Sequence, residues 1–276
     1  MQKPSMCLIL FALRCHREYP LIVAANRDEF FARPTRFAEF WEDQPDLLAG
    51  RDLQAGGTWL GINRQARFAA VTNVRNGLDI QARPGSRGEL VTDCLRQAST
   101  TDALQQIANR QDLYNGFNLL AGTPQQLFYA SNRHQTNTQE LQAGVYGLSN
   151  GGLNSPWPKV DSGRTLLAEL LDRNWQQLDE RKTDLLNLLA DDTLAPLDQL
   201  PDTGIPLENE RALSSRFIAC PATGDAPIPD YGTRASTLVL FHRSGRIHFL
   251  EKSFTPHPPT EGSRDKPALE IREFVI

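Results

Sequence analysis

The sequence predicts an α+β fold built on antiparallel strands, from three observations. Short apolar runs of strand length recur in pairs around polar turns, at both ends of the chain. Leucines at helical spacing are grouped in the middle, so strands and helices do not alternate as a doubly wound parallel sheet requires. No internal repeat, low-complexity block or linker divides the 276 residues, which read as a single domain, 1–276.

The first run, Cys7 to Leu13, has strand length and falls short of the roughly 20 residues a membrane helix needs. Polar Arg14 to Tyr19 and then Pro20 separate it from Leu21 to Ala25, so the pair reads as a hairpin. The second strand is expected to end in Asn26-Arg27-Asp28-Glu29, four polar residues at a sheet rim. Gly56 to Asn63 and Arg67 to Asn73 read as another hairpin, with Gly56-Gly57 allowing a turn before the strand. Residues 77–88 are rich in Gly, Pro, Arg and Ser and read as a loop. A helix is expected after Ser86, with Glu89 three residues on as in a capping box and Leu90, Val91, Cys94 and Leu95 on one face.

Gly116 to Ala121, Gln126 to Ala130 and Val145 to Ser149 read as further short strands. Pro156 to Leu171 and Trp175 to Leu189 read as packing helices, and residues 191–231 as a loop-rich stretch holding many of the prolines. Thr233 to His242 and Arg246 to Phe254 close as a hairpin around Arg243-Ser-Gly-Arg246. Pro256 to Lys266 is read as extended and Ile271 to Ile276 as an edge strand.

Charge and cysteine usage narrow the partners. A net charge of −4 sets up no global field toward nucleic acid or an acidic membrane. Five lysines leave 24 arginines among the 29 basic residues. The guanidinium fork suits carboxylates and phosphates, although GC-rich coding gives the same excess. Cysteines at 7, 15, 94 and 220 form no CxxC pair and no zinc spacing, so no metal is expected. Such sparse usage, with no targeting segment and no membrane span, fits the reduced cytoplasm.

Polar clusters stand at the expected strand ends: Cys7, Asn26 to Glu29, Thr72-Asn73, Ser149-Asn150 and Gly232-Thr233-Arg234. Residues at the ends of buried strands can converge on one rim. Taken alone, each has a plain reading. Cys7 reads as a small buried hydrophobe, Arg27 and Asp28 as an ion pair pinning the hairpin, and Asn73 and Asn150 as turn caps. Cys15-His16 is a soft ligand pair in type, but adjacent side chains on a turn seldom chelate together. His242 and His248 read as sheet residues, and Cys94 and Cys220 as structural.

In order along the chain, Met6-Cys7, Ala25-Asn26-Arg27-Asp28-Glu29-Phe30, Arg33-Pro34, Gly56-Gly57-Thr58-Trp59-Leu60-Gly61, Thr72-Asn73, Gly88-Glu89-Leu90-Val91, Tyr114 to Leu119, Tyr146 to Asn150 and Tyr231-Gly232-Thr233-Arg234 resemble the NRDE family, which includes the transport and Golgi organisation protein 2 homologues. The family in turn resembles the N-terminal-nucleophile hydrolases of the bile-salt and penicillin V acylase group. That resemblance implies a four-layer αββα sandwich of antiparallel sheets. It makes Cys7 the nucleophile, with its own α-amine as base. Arg27 and Asp28 hold the thiolate and the amine, Asn73 and Asn150 donate to the oxyanion, and Arg234 lowers the thiol pKa. One departure stands out. Met1-Gln-Lys-Pro-Ser-Met6 precedes Cys7, so a free α-amine needs a start at Met6 or removal of this leader.

Two functions follow. The first is a carrier that uses the cleft for a small amphipathic, anionic ligand such as haem, acyl-CoA or lipid. The resemblance implies this ligand class, and it requires no cofactor beyond haem as cargo. Arginines of the first third would meet the anionic groups, and Trp41 and Trp59 an apolar wall. The alternative is a cysteine hydrolase cleaving a non-peptide amide, ester or thioester.

Overall fold

The computed structural model describes residues 6–79, 81–133, 138–173, 177–219, 227–255 and 268–276. Its strands are β1 (Met6–Leu13), β2 (Leu21–Phe30), β3 (Thr35–Trp41), β4 (Gln44–Asp52), β5 (Leu60–Asn63), β6 (Phe68–Asn73), β7 (Phe117–Gly122), β8 (Leu127–Ser131), β9 (Gln139–Glu140), β10 (Gly144–Leu148), β11 (Tyr231–Phe241), β12 (Ile247–Thr255) and β13 (Ala268–Val275). The α-helices are α1 (Arg87–Arg96), α2 (Thr100–Ala108), α3 (Pro158–Leu171), α4 (Leu178–Leu189) and α5 (Leu207–Ala212). One sheet runs β10-β1-β2-β11-β12-β13 and the other β3-β4-β5-β6-β7-β8-β9, with every pairing antiparallel.

Three apolar layers explain why β1 reads as a continuous run. Ile9, Phe11 and Leu13 join Val23, Leu48, Ile62, Leu120 and Phe249 between the sheets. Leu8, Leu10 and Ala12 face Val160, Leu167, Leu185 and Leu188 of α3 and α4. On the other outer face, Ala69, Val71 and Leu119 meet Leu90, Val91, Leu95 and Leu104 of α1 and α2. The order is therefore helix, sheet, sheet, helix: the α+β class that the sequence pattern predicts, in the four-layer form that the family resemblance implies. A strand buried on both faces carries no polar alternation, and truncating one of its leucines to alanine costs about 2–5 kcal/mol.

Several boundaries differ from the sequence reading. β2 does not stop at Ala25. Pairing with β1 on one side and β11 on the other carries it through the polar motif to Phe30. β3 and β4 leave no strand signal because Arg36, Glu39 and Asp46 interrupt any apolar run, and α2 buries only Ala103, Leu104 and Ile107, too few to mark a helix. α1 begins after Ser86 as expected, but Ser86 makes no side-chain cap. The Met1 to Ser5 part of the leader, Trp175, Cys220 and Pro256 to Lys266 lie outside the described residues. Ile271 to Val275 does form an edge strand against β12. No described helix is long and apolar enough to cross a membrane.

Candidate functional site

Strand geometry divides the polar motif of β2 between two layers. Successive side chains alternate across a strand, and residues directly opposite each other share a face. Cys7 lies opposite Arg27 in register, so both point toward the second sheet. Asn26 and Asp28 point the other way. Asn26 Nδ2 donates to the carbonyls of Leu189 (2.9 Å) and Arg216 (2.8 Å). Asp28 Oδ1 accepts from Thr233 Oγ1 at 2.6 Å. Thr233 and Ile218 hold each other through paired 2.8 Å bonds, so this half of the motif anchors the 213–218 segment over the sheet.

The other half faces a cleft of about 660 Å³ whose lining includes Cys7, Arg27, Glu29, Trp59, Asn73 and Arg87. Its charged lining consists of Arg27, Arg33, Arg83 and Arg87 against Glu29 and Asp52. Arg27 sits with its guanidinium carbon 4.2 Å from the Trp59 ring centre and Nη2 3.7 Å from Glu29 Oε2. Arg33 bridges Asp52 at 2.6 Å and Glu29 at 3.7 Å. The mouth therefore keeps an excess of cationic side chains.

Burial controls the protonation of this site. It pushes the Cys7 thiol from 9.0 up to about 12, with the Asp28 carboxylate adding to the rise and Arg27 opposing it. Cys7 is accordingly a neutral thiol at physiological pH. Burial likewise raises Asp28 from 3.8 to about 6, against the pull of Lys159, Thr233 and Arg27. Asp28 Oδ2 is buried and has no hydrogen-bond partner among the described residues. Lys159 enters from the first turn of α3 and donates to the Leu213 carbonyl at 2.9 Å. Burial lowers its ammonium to about 8, with Asp28 opposing. Arg87 is pushed down to about 10 by burial, countered by the nearby Cys7 and Glu29.

The remaining sequence candidates sit around this core. Asn73 lines the cleft beside Cys7. Asn150 does not, and its Nδ2 donates to the Asn73 carbonyl at 2.8 Å. Ser149 Oγ lies 3.0 Å from the Cys7 carbonyl and 3.3 Å from Asn150 Oδ1. Thr72 Oγ1 donates to the Ser149 carbonyl at 2.6 Å, and Asn118 Nδ2 to that of Gly151 at 2.6 Å. Asn118 is itself fixed by the Tyr129 hydroxyl at 2.8 Å. The 149–151 turn is thus tied to the ends of β1 and β6. Arg234 Nη1 donates to the carbonyls of Phe30 (3.1 Å), Phe31 (3.2 Å) and Arg33 (2.6 Å), clamping the turn after β2.

Trp59 lines the cleft, whereas Trp41 is buried in the outer core with Nε1 bonded to the Ala49 carbonyl at 3.0 Å. Sequence reading missed Arg87 and Lys159 as site neighbours. Arg87 lay at the edge of a loop, and Lys159 on a helix read as packing. The available signal was a lysine on the apolar side of a helix in a chain with only five. His16 Nδ1 accepts from the backbone N–H groups of Glu18 and Tyr19, a turn role. No cluster of three or more His, Cys, Asp or Glu able to hold a metal occurs among the described residues.

Comparison with known proteins agrees with the ordered motifs. The chain is 36% identical over 273 residues to the Transport and Golgi organization protein 2 homolog of Bos taurus, covering 92% of this chain and 95% of that protein. It is 37% identical over 272 residues to the Homo sapiens homolog, covering 90% and 93%. Among solved structures, the N-acylethanolamine-hydrolyzing acid amidase ortholog of Caenorhabditis elegans aligns over 85% of this chain and 92% of that one, at 12% identity and a TM-score of 0.48. A family profile for Transport and Golgi organisation 2 matches residues 6–256, and the chain belongs to that family.

Proposed function

We propose that the chain binds and carries a small amphipathic anion in the cleft beside Cys7, with haem and acyl-CoA as the ligand classes. The observation that carries this reading is the cleft's charge: four guanidinium groups face two carboxylates, beside the apolar surfaces of Phe30, Trp59 and Val71. Phosphate or carboxylate groups suit such a mouth, and the apolar wall suits the rest of an amphiphile. The neutral Cys7 thiol supports binding over attack while residues precede it. Among the described residues the lining holds no His, Met or Tyr, and its one soft ligand, Cys7, is a protonated thiol, so in this reading haem is held through its propionates. Sparse cysteines, with Cys7, Cys15 and Cys94 unpaired, support a cytoplasmic setting.

Calorimetric titration with acyl-CoA and with haem tests the reading. Saturable binding is expected, weakening as salt rises and by about tenfold or more in Arg83→Gln. No saturable heat with either ligand rejects it.

A second reading, the cysteine hydrolase, is favoured by one observation. Among the described residues Asp28 Oδ2 has no hydrogen-bond partner, and Met6 lies opposite Asp28 in register. A chain beginning at Cys7 would place an ammonium beside that oxygen. In this reading Cys7 attacks an amide, ester or thioester carbonyl. Arg27 and Asp28 hold thiolate and amine and Asn73 serves the oxyanion, while Asn150, bonded to the Asn73 carbonyl, and Arg234, bonded to the carbonyls after β2, hold these neighbours in position. The intact mass of untagged protein decides its premise. A mass starting at Cys7, with hydrolysis lost in Cys7→Ala, supports it, and a mass starting at Met1 rejects it.

A further inference from the structure

Cys7, Arg27, Trp59 and Val71 line the cleft and also a second, inner crevice between the sheets. The crevice continues past them to Ile9, Ala25 and Leu60. It holds about 10 Å³, room for at most one water. The half-buried Trp59 has the largest side chain of the four residues that line both spaces. Two contacts fix it there. The Arg27 guanidinium carbon lies 4.2 Å from the ring centre. One edge of the indole rests on Gly50 of β4, where an added Cβ would come within 2.2 Å of the ring. A cation over an aromatic face and a glycine cut away beneath it both oppose movement of the ring.

We propose that the Trp59 indole is the stop that sets how long an apolar tail the cleft accepts. The proposal rests on the binding reading above and gives its ligand a shape: an anionic head and one unbranched alkyl tail. Charge complementarity orients that ligand. The head meets the arginines at the mouth, and the tail points inward toward Val71 and the inter-sheet crevice. The tail ends at the indole because the space behind admits no further methylene. Arg27 then acts at the tail end, as the cover that holds Trp59 in place, and Arg33 and Arg83 are left to meet the head. Trp59 is a specificity-determining residue, and Gly50 a positioning one.

Calorimetry with straight-chain saturated fatty carboxylates of increasing length, below their micellar concentrations, tests the proposal on the full chain. In the wild type each added methylene should strengthen binding about fourfold until the tail reaches the indole, and then give nothing. Trp59→Ala joins cleft and crevice and should move that break to longer tails by several methylenes. Trp59→Phe should move it by fewer, and it carries the test if the alanine variant does not fold. The same break in the wild type and the folded variants overturns the proposal and leaves the binding reading intact. Binding of haem with no binding of the carboxylate series also overturns the tail alone. No binding of haem, acyl-CoA or carboxylates overturns both.

Discussion

Cys7 should resist alkylation under conditions where Cys15 accepts it. Burial and the Asp28 carboxylate raise the Cys7 thiol from 9.0 to about 12. At pH 8 an ordinary thiol is about one-tenth ionised, whereas Cys7 would be ionised in about one molecule in ten thousand. The thiolate is the nucleophile, so protonation alone slows labelling about a thousandfold. Residual exposure of only 8% slows it further. Cys15 is exposed, and burial raises its thiol as well, so the expected contrast between the two is about a hundredfold or more. Iodoacetamide labelling at pH 8, read peptide by peptide in protein whose mass starts at Met1, measures it. The Cys7 rate should rise about tenfold per pH unit up to pH 10, and Asp28→Asn, which removes the second cause of the shift, should raise it at fixed pH. Labelling of Cys7 within tenfold of Cys15 at pH 8 would refute the reasoning, since it would mean that Arg27 and Arg87 outweigh burial.

Asp28 also predicts a pH dependence of stability. The folded protein holds the Asp28 proton up to about pH 6, the unfolded chain only up to 3.8. The stability this group contributes is full below pH 3.8 and is lost as pH rises through 6. Asn cannot ionise and keeps the oxygen that Thr233 bonds, so Asp28→Asn should gain on the wild type between pH 4 and 6, by up to about 3 kcal/mol. Urea midpoints across that range measure the gap, and a constant gap rejects the shift. Asn118→Ala should unpin the 149–151 turn and leave the Tyr129 hydroxyl without its acceptor, costing about 1–3 kcal/mol. Thermal unfolding should fall by several degrees, and an unchanged midpoint would show that Asn118 does not hold the turn.

The sequence determined which segments are strands wherever burial on both faces left an unbroken apolar run, as in Cys7 to Leu13 and Leu21 to Ala25. It also determined the end of β6 and, to within a residue, that of β10, where Asn73 lines the cleft with Cys7 and Ser149 bonds the Cys7 carbonyl. It did not reveal β3 and β4, whose exposed and charged positions break the apolar pattern. Nor did it reveal that Asn26 to Glu29 are buried and not exposed at a rim, because the partners that satisfy Asn26 and Asp28 come from residues 189, 216 and 233. Tertiary structure alone decided the division of labour within that motif. Alternation along a strand is local, but which face meets the cleft depends on the register with the neighbouring β1 and with β11, the latter about 200 residues away along the chain. Arg87 and Lys159 join the site for the same reason: their neighbours are brought to them by packing, and proximity in space leaves no trace in the order of residues.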